Sequence, residues 1–251
     1  MRVVVVGGAG LLGGLVTEEL RVSGHDVVAA SRRTGVDAAN GQGLRRTFAG
    51  ADAVVDCSDL VTLSARRAIA FSSATARNIC RAAITADVPH VVAVSIVGCT
   101  RPQVQGLGYY RGKAARETVL AAYDAPVTIV RTTQWFELAD RFLRARLGPV
   151  SLVPHMRSQP VAAHTAAQLV ADAVEHGFEA DAVRELAGPA EHDLADLAKR
   201  IAAREHPRRK VLAITYPGAG PAIAAGVLLP GPTATVAGPT FDEWLAARPR
   251  P

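Results

Sequence analysis

The sequence predicts an α/β fold, a doubly wound parallel sheet followed by a small C-terminal annex, on three observations. Apolar strand-like runs alternate with helical patterns from residue 2 to about residue 131, the rhythm of right-handed βαβ units. The opening run Val3-Val4-Val5-Val6 is wholly β-branched, which suits a strand buried on both faces. A glycine cluster (Gly7, Gly8, Gly10, Gly13, Gly14) then meets the start of a helical pattern. The predicted arrangement is therefore Rossmann-like, with a core over residues 1–150 and a mixed α/β annex over 151–251 packed on it as one structural unit.

Composition narrows the function. Of 251 residues 49% are hydrophobic and 20% charged, enough apolar material for a sizeable core. No apolar run reaches the length of a membrane span, and the first residues read as a strand, not a signal peptide, so no membrane partner is expected. Cys57, Cys80 and Cys99 are odd in number and lack ligand spacing; they read as buried thiols in a reducing cytoplasm, with no metal site. The net charge of +5 calls for an anionic partner. Its arginines are scattered, however, and aromatic residues are few, which favours a phosphate-rich small molecule over nucleic acid. Monomer and homodimer both stay open.

The first strand and helix carry the first motif. Gly7, Gly10 and Gly13 stand three apart, one residue different from the G-x-G-x-x-G dinucleotide fingerprint but with the same strand–turn–helix mechanics. Such a turn admits close backbone approach and aims helix N-terminal N–H groups at a phosphate. Gly7, Gly10, Leu11, Leu12 and Gly13 are the expected contacts. Val27 to Ala30 forms the second strand. Enzymes using NAD place an acidic residue near its end, whereas Ser31-Arg32-Arg33 stands here. A guanidinium pairs with a 2′-phosphate through two parallel bonds, so NADP(H) is favoured over reading these arginines as solvated loop charges.

A short helix is expected over Gly41 to Phe48 and a third strand over Ala53 to Ser58, placing Asp56, Cys57 and Ser58 beside the adenosine half of the crevice. A long helix over Arg66 to Ala86 ends ahead of Pro89, and His90 to Ser95 is the fourth strand. Ser95, Tyr109 and Lys113 form the second motif. Tyr109 and Lys113, four apart, share a helical face. An ammonium close to a phenol lowers its pKa, fitting Tyr109 to exchange a proton with a carbonyl oxygen that Ser95 holds. The alternative is that Tyr109 and Lys113 only anchor a cofactor and pack the helix.

On these residues the chain resembles an atypical short-chain dehydrogenase/reductase of the NmrA-like, NAD(P)H-binding group. Gly7, Gly10 and Gly13 match the group's glycine motif, Ser95-Ile96-Val97-Gly98 and Tyr109-Tyr110-Arg111-Gly112-Lys113 its catalytic region, and Thr240 to Leu245 a closing segment of small bacterial members. The resemblance implies Ser95, Tyr109 and Lys113 as catalytic residues, with Lys113 also on the nicotinamide ribose. It implies an NADPH-dependent ketoreductase-type oxidoreductase acting on a carbonyl, quinone or enone of a small hydrophobic substrate. It also admits a redox sensor without turnover, or a redox-neutral isomerase or epimerase.

The strand Ala125 to Arg131 ends in Thr132-Thr133-Gln134-Trp135-Phe136. Thr132 and Thr133 are expected at the nicotinamide. Val97, Gln134, Trp135, Phe136, His155 and Met156 are candidate substrate-pocket residues, with core packing the alternative for Trp135 and Phe136. In the annex, helices are expected from His164 to about His176, over Leu194 to Arg204 and over Phe241 to Ala247. Strands are expected at Val183 to Ala187 and Lys210 to Ile214. Ala222 to Leu229 reads as a short helix, a lid or a subunit contact.

Overall fold

A computed structural model describes residues 1–178 and 183–249. Its strands are β1 (Arg2–Val6), β2 (Asp26–Ala30), β3 (Ala53–Asp56), β4 (Val91–Ile96), β5 (Val127–Thr132), β6 (Arg146–Leu147), β7 (Val150–Pro154), β8 (Arg157–Ser158), β9 (Val183–Ala187), β10 (His192–Asp193), β11 (Lys210–Ile214) and β12 (Thr235–Val236). The helices are α1 (Leu11–Val22), α2 (Leu44–Phe48), α3 (Ala65–Thr85), α4 (Gly108–Ala121), α5 (Glu137–Arg144), α6 (Ala163–His176), α7 (Leu194–Glu205), α8 (Gly220–Ala224) and α9 (Phe241–Ala247).

A seven-stranded sheet in the order β12-β9-β5-β4-β3-β1-β2 forms the centre, every pair parallel. The valines of β1 show why: Val3 and Val5 join one apolar cluster with α1 and α6, while Val4 and Val6 join another with α2 and α3. Side chains alternate across a strand, so only an all-apolar strand serves both layers. The chain runs from β1 to β2 on one side and returns to β3 on the other, making the ends of β1 and β3 the switch point where open α/β sheets bind ligands.

The expected division at residue 150 needs correction. Strands β9 and β12 complete the central sheet, and α6 covers it beside α1, so the second half of the chain supplies part of the core. The annex proper is the β6-β7-β11 sheet, the β8–β10 pair and helices α5, α7 and α9 around Phe136, Leu197, Ile201 and Phe241. Ile223 and Leu228, from the stretch that stood open between helix, lid and contact, are buried in that core. The expected helix from Gly41 begins at Leu44, because Gly41 and Gly43 adopt φ of +84° and +78°. Among the described residues, no helix is long and apolar enough to cross a membrane.

Candidate active site

The glycine turn is built from the inside outward. The N–H groups of Gly7 and Gly8 donate to the Ala30 carbonyl at 2.9 and 3.2 Å, and that of Gly10 donates to the Gly7 carbonyl at 2.9 Å. Gly7 has φ +83°, and a Cβ there would lie 2.8 Å from the Cys57 carbonyl group. A Cβ on Gly13 would stand 2.3 Å from the Gly7 oxygen, so this glycine lets α1 close against the turn. Gly10 differs: its Cβ would meet only the Gly7 oxygen, at 3.3 Å, and its outer side is open. Gly10 caps α1 without a side-chain bond, leaving the N–H groups of Leu11, Leu12 and Gly13 and the positive end of the helix dipole to an outside acceptor. The cradle fits a dinucleotide's pyrophosphate.

At the end of β2, Ser31 opens a tight turn in which its N–H donates to Thr34 Oγ1 at 2.9 Å. Arg32 and Arg33 are exposed on that turn. Among the described residues neither guanidinium meets a carboxylate, so both are available to an anion.

The end of β3 carries a different chemistry from the one expected of Asp56 and Ser58. Asp56 is 1% exposed and pairs with the equally buried Arg116, Nη1 to Oδ2 at 3.2 Å. Ser58 donates its N–H and hydroxyl to Asp56 Oδ1 at 2.9 and 2.6 Å. Arg116 donates to the Ser58 carbonyl and hydroxyl at 2.8 and 2.7 Å. Both side chains are thus committed to a buried ion pair under the strand end. Cys57 lies against Gly7 through its backbone, and burial pushes its thiol up to about 12.

Tyr109 and Lys113 arrive at the same strand end because α4 runs close to α3. A Cβ on Gly108 would stand 2.7 Å from the Ala65 nitrogen, and one on Gly112 3.0 Å from the Ala68 Cβ. This approach brings both side chains to Asp59, which the motif reading missed. The Tyr109 hydroxyl donates to Asp59 Oδ2 at 3.1 Å, and Lys113 Nζ stands 3.0 Å from Asp59 Oδ1. Lys113 Nζ stands 5.6 Å from the Tyr109 ring centroid, and its ion pair is with the carboxylate. The expected lowering of the phenol's pKa is therefore reversed: burial, then the Asp59 charge and hydrogen bond, push Tyr109 well above 10. Burial also raises the Asp59 carboxyl, but the Lys113 charge and hydrogen bond, Arg116 and the Tyr109 hydroxyl outweigh it and bring it below 3.8.

Ser95 is not brought to Tyr109. It is 1% exposed, and its hydroxyl donates to Glu117 Oε1 at 2.5 Å, joined there by the Cys99 thiol at 3.3 Å. Arg131 closes the network with bonds of 3.0 and 2.7 Å to Glu117 and 3.3 Å to Glu185. Strand alternation turns Ser95 towards the body of α4, which corrects its placement as a holder of the substrate oxygen. Val97 is fully buried.

Around the end of β5, Thr132 Oγ1 accepts the Trp135 indole N–H at 3.0 Å and Thr133 Oγ1 donates to the Gln159 carbonyl at 2.7 Å. Trp135 is half-buried and Gln134 buried. Phe136 is 0% exposed, with the rings of Phe241 and Trp244 each 5.3 Å away, and Met156 belongs to the same core. Both are packing residues, not pocket walls. His155 is 43% exposed and stands 3.1 Å from Asp193.

A family model described as the NAD dependent epimerase/dehydratase family matches residues 3–136. No curated protein matches. Among solved structures, dTDP-4-dehydrorhamnose reductase from Bacillus anthracis str. Ames in complex with NADP is 15% identical, with a TM-score of 0.67 over 99% of this chain and 94% of that one. The Bordetella bronchiseptica enzyme WbmH in complex with NAD+ is 16% identical, with a TM-score of 0.73 over 98% and 96%. A short-chain dehydrogenase/reductase superfamily protein from Agrobacterium tumefaciens with bound NAD is 19% identical, with a TM-score of 0.72 over 98% and 95%. At these identities the likeness is one of fold.

Proposed function

Because the chain belongs to the NAD-dependent epimerase/dehydratase family, we propose that it is an NADPH-dependent oxidoreductase reducing a carbonyl, quinone or enone of a small hydrophobic molecule. The observation that carries this reading is the meeting of Tyr109 and Lys113 with Asp59 beside β3, one strand from the glycine turn. Within the family we place it in the NmrA-like, atypical short-chain group, supported by Gly7, Gly10, Gly13 and the segment from Ser95 to Lys113. Three free cysteines support a reducing cytoplasm.

Gly7, Gly10, Leu11, Leu12 and Gly13 hold the pyrophosphate in this reading, with Arg32 and Arg33 on the 2′-phosphate. When bound, the nicotinamide supplies a hydride to the substrate carbon. The chain's own part is the proton. Burial and Asp59 hold the Tyr109 phenol above its ordinary pKa, so it carries a proton that reaches the substrate oxygen when the hydroxyl turns from Asp59. Lys113 fixes Asp59, and Ser95 supports the end of β4 through Glu117. Exposed Val61 and Leu63, on the loop that carries Asp59, favour an apolar substrate at the rim.

The test follows NADPH absorbance with a panel of quinones, enones and cyclic ketones, then repeats it with Tyr109→Phe. Turnover that drops sharply in the variant supports the reading; NADPH binding without oxidation of any substrate overturns it. Arg32→Ala/Arg33→Ala is expected to weaken NADPH far more than NADH, and equal losses count against the phosphate assignment. The family description also favours a second reading, redox-neutral epimerisation, in which product forms with no net absorbance change.

A further inference from the structure

We propose that Asp59 is a positioning residue through which Tyr109 exchanges its proton with solvent, an inference that rests on the oxidoreductase reading above. One carboxylate holds both partners, Oδ2 on the phenol at 3.1 Å and Oδ1 on the ammonium at 3.0 Å. The Asp59 side chain is 39% exposed while that of Lys113 is 8% exposed, so of the two charged groups water reaches Asp59. Lys113 bears on Tyr109 through Asp59, since its Nζ bonds Oδ1 and only flanks the ring.

The other neighbouring side chains offer no relay. Arg116 is committed to Asp56 and Ser58. Tyr110 is buried with its ring edge-on to that of Tyr109 at 5.8 Å, burial raises its hydroxyl well above the ordinary phenol range, and Cys57 stays a thiol. The charged and titratable groups facing the pair are thus Lys113, Arg116 and Tyr110 from α4, with Asp56 and Cys57 from the β3 end.

The proton balance is complete. As the substrate oxygen gains hydrogen, the Tyr109 O–H bond breaks. The Asp59 carboxylate takes a proton from a solvent hydronium ion, passes it to the phenolate and so returns to carboxylate, leaving one water molecule. No oxidant or reductant enters this transfer.

Two measurements test it. First, ultraviolet titration of each protein against its Tyr109→Phe partner isolates Tyr109 from the other tyrosines. Replacing Asp59 by asparagine removes the negative charge and frees Lys113, so Tyr109 is expected to ionise at least about one pH unit lower than in the parent; an unchanged titration overturns the proposal. Second, Asp59→Ala is expected to lose about tenfold or more in kcat with little change in NADPH affinity, to shift the pH–rate profile, and to recover in part with added formate. Asp59→Glu is expected to retain most of the activity. Full activity of Asp59→Ala, or a loss with neither formate recovery nor a changed profile, overturns the relay alone. Absence of turnover in the parent with NADPH bound overturns the oxidoreductase reading and the relay with it.

Discussion

The buried pair of Asp56 and Arg116 sets the local energetics beneath the site. Each is 1% exposed, and desolvating two charges is offset only while both remain. Arg116→Leu leaves the buried Asp56 carboxylate without its counter-charge, held only by the Ser58 N–H and hydroxyl, so it is expected to cost about 3–5 kcal/mol in urea unfolding. Adding Asp56→Leu is expected to recover much of that loss, and a double variant no better than the single would show that the pair is not the cause. Tyr109→Phe removes a hydroxyl and leaves the helix packing in place. Its expected effect is a fall of about 10²–10⁴-fold in kcat with stability nearly unchanged, read by rates and thermal melting together. At this scale the sequence was legible where partners are close in the chain: Tyr109 and Lys113 share a helical face by spacing alone. Asp59, 50 residues from Tyr109, and Arg116, 58 from Ser58, carry no local signature. Ser95 shows the other limit, since its position at a strand end was readable but the face it turns to depended on Glu117.

At the scale of elements, the glycine turn separates folding from binding. Gly13→Ala drives a methyl to 2.3 Å from the Gly7 oxygen, so α1 must move, and both melting temperature and dinucleotide affinity are expected to fall. Gly10→Ala meets one atom at 3.3 Å and otherwise points outward, with a φ of −83° that alanine tolerates. It is expected to keep the melting temperature within a few degrees while weakening NADPH in a fluorescence titration. Equal effects of the two substitutions on stability would remove the distinction between inner and outer glycines. The long periodic elements were readable, as α3, α6, α7 and α9 lie within one or two residues of their expected bounds. The two-residue strands β6, β8, β10 and β12 were not, because so short a strand has no period of its own and exists only through its partner.

Over the whole molecule, alternation of strand and helix revealed the sheet but not which half of the chain completes it. Glu117 of α4, Arg131 of β5 and Glu185 of β9 tie the two halves across the sheet. Burial raises the Glu117 carboxyl, but the bonds from Arg131, Ser95 and Cys99 outweigh it and hold it below 4.5. A carboxyl lowered on folding adds stability that is fully present above its ordinary value and is lost as pH falls through the folded one. Unfolding free energy is therefore expected to decline below pH 4.5, and Glu117→Gln to flatten that decline while lowering stability at pH 7. Apolar contact binds the halves as well. Leu12, Val16 and Leu20 of α1 share a core with Ala166, Val170 and Val174 of α6, and Leu186 of β9 is buried in it. Uncovering large apolar side chains costs about 1.5–3 kcal/mol each, and only a few such losses consume the stability of an ordinary domain. A fragment of residues 1–150 also leaves β5 as an open sheet edge, since β9 is its neighbour, and bare edges invite pairing between chains. The fragment is expected to aggregate, or to lack a cooperative thermal transition, even though it contains the glycine turn, Asp59, Tyr109 and Lys113. A soluble fragment that melts cooperatively and binds NADPH would show that residues 151–251 are dispensable to the core, and would restore the boundary the composition first indicated.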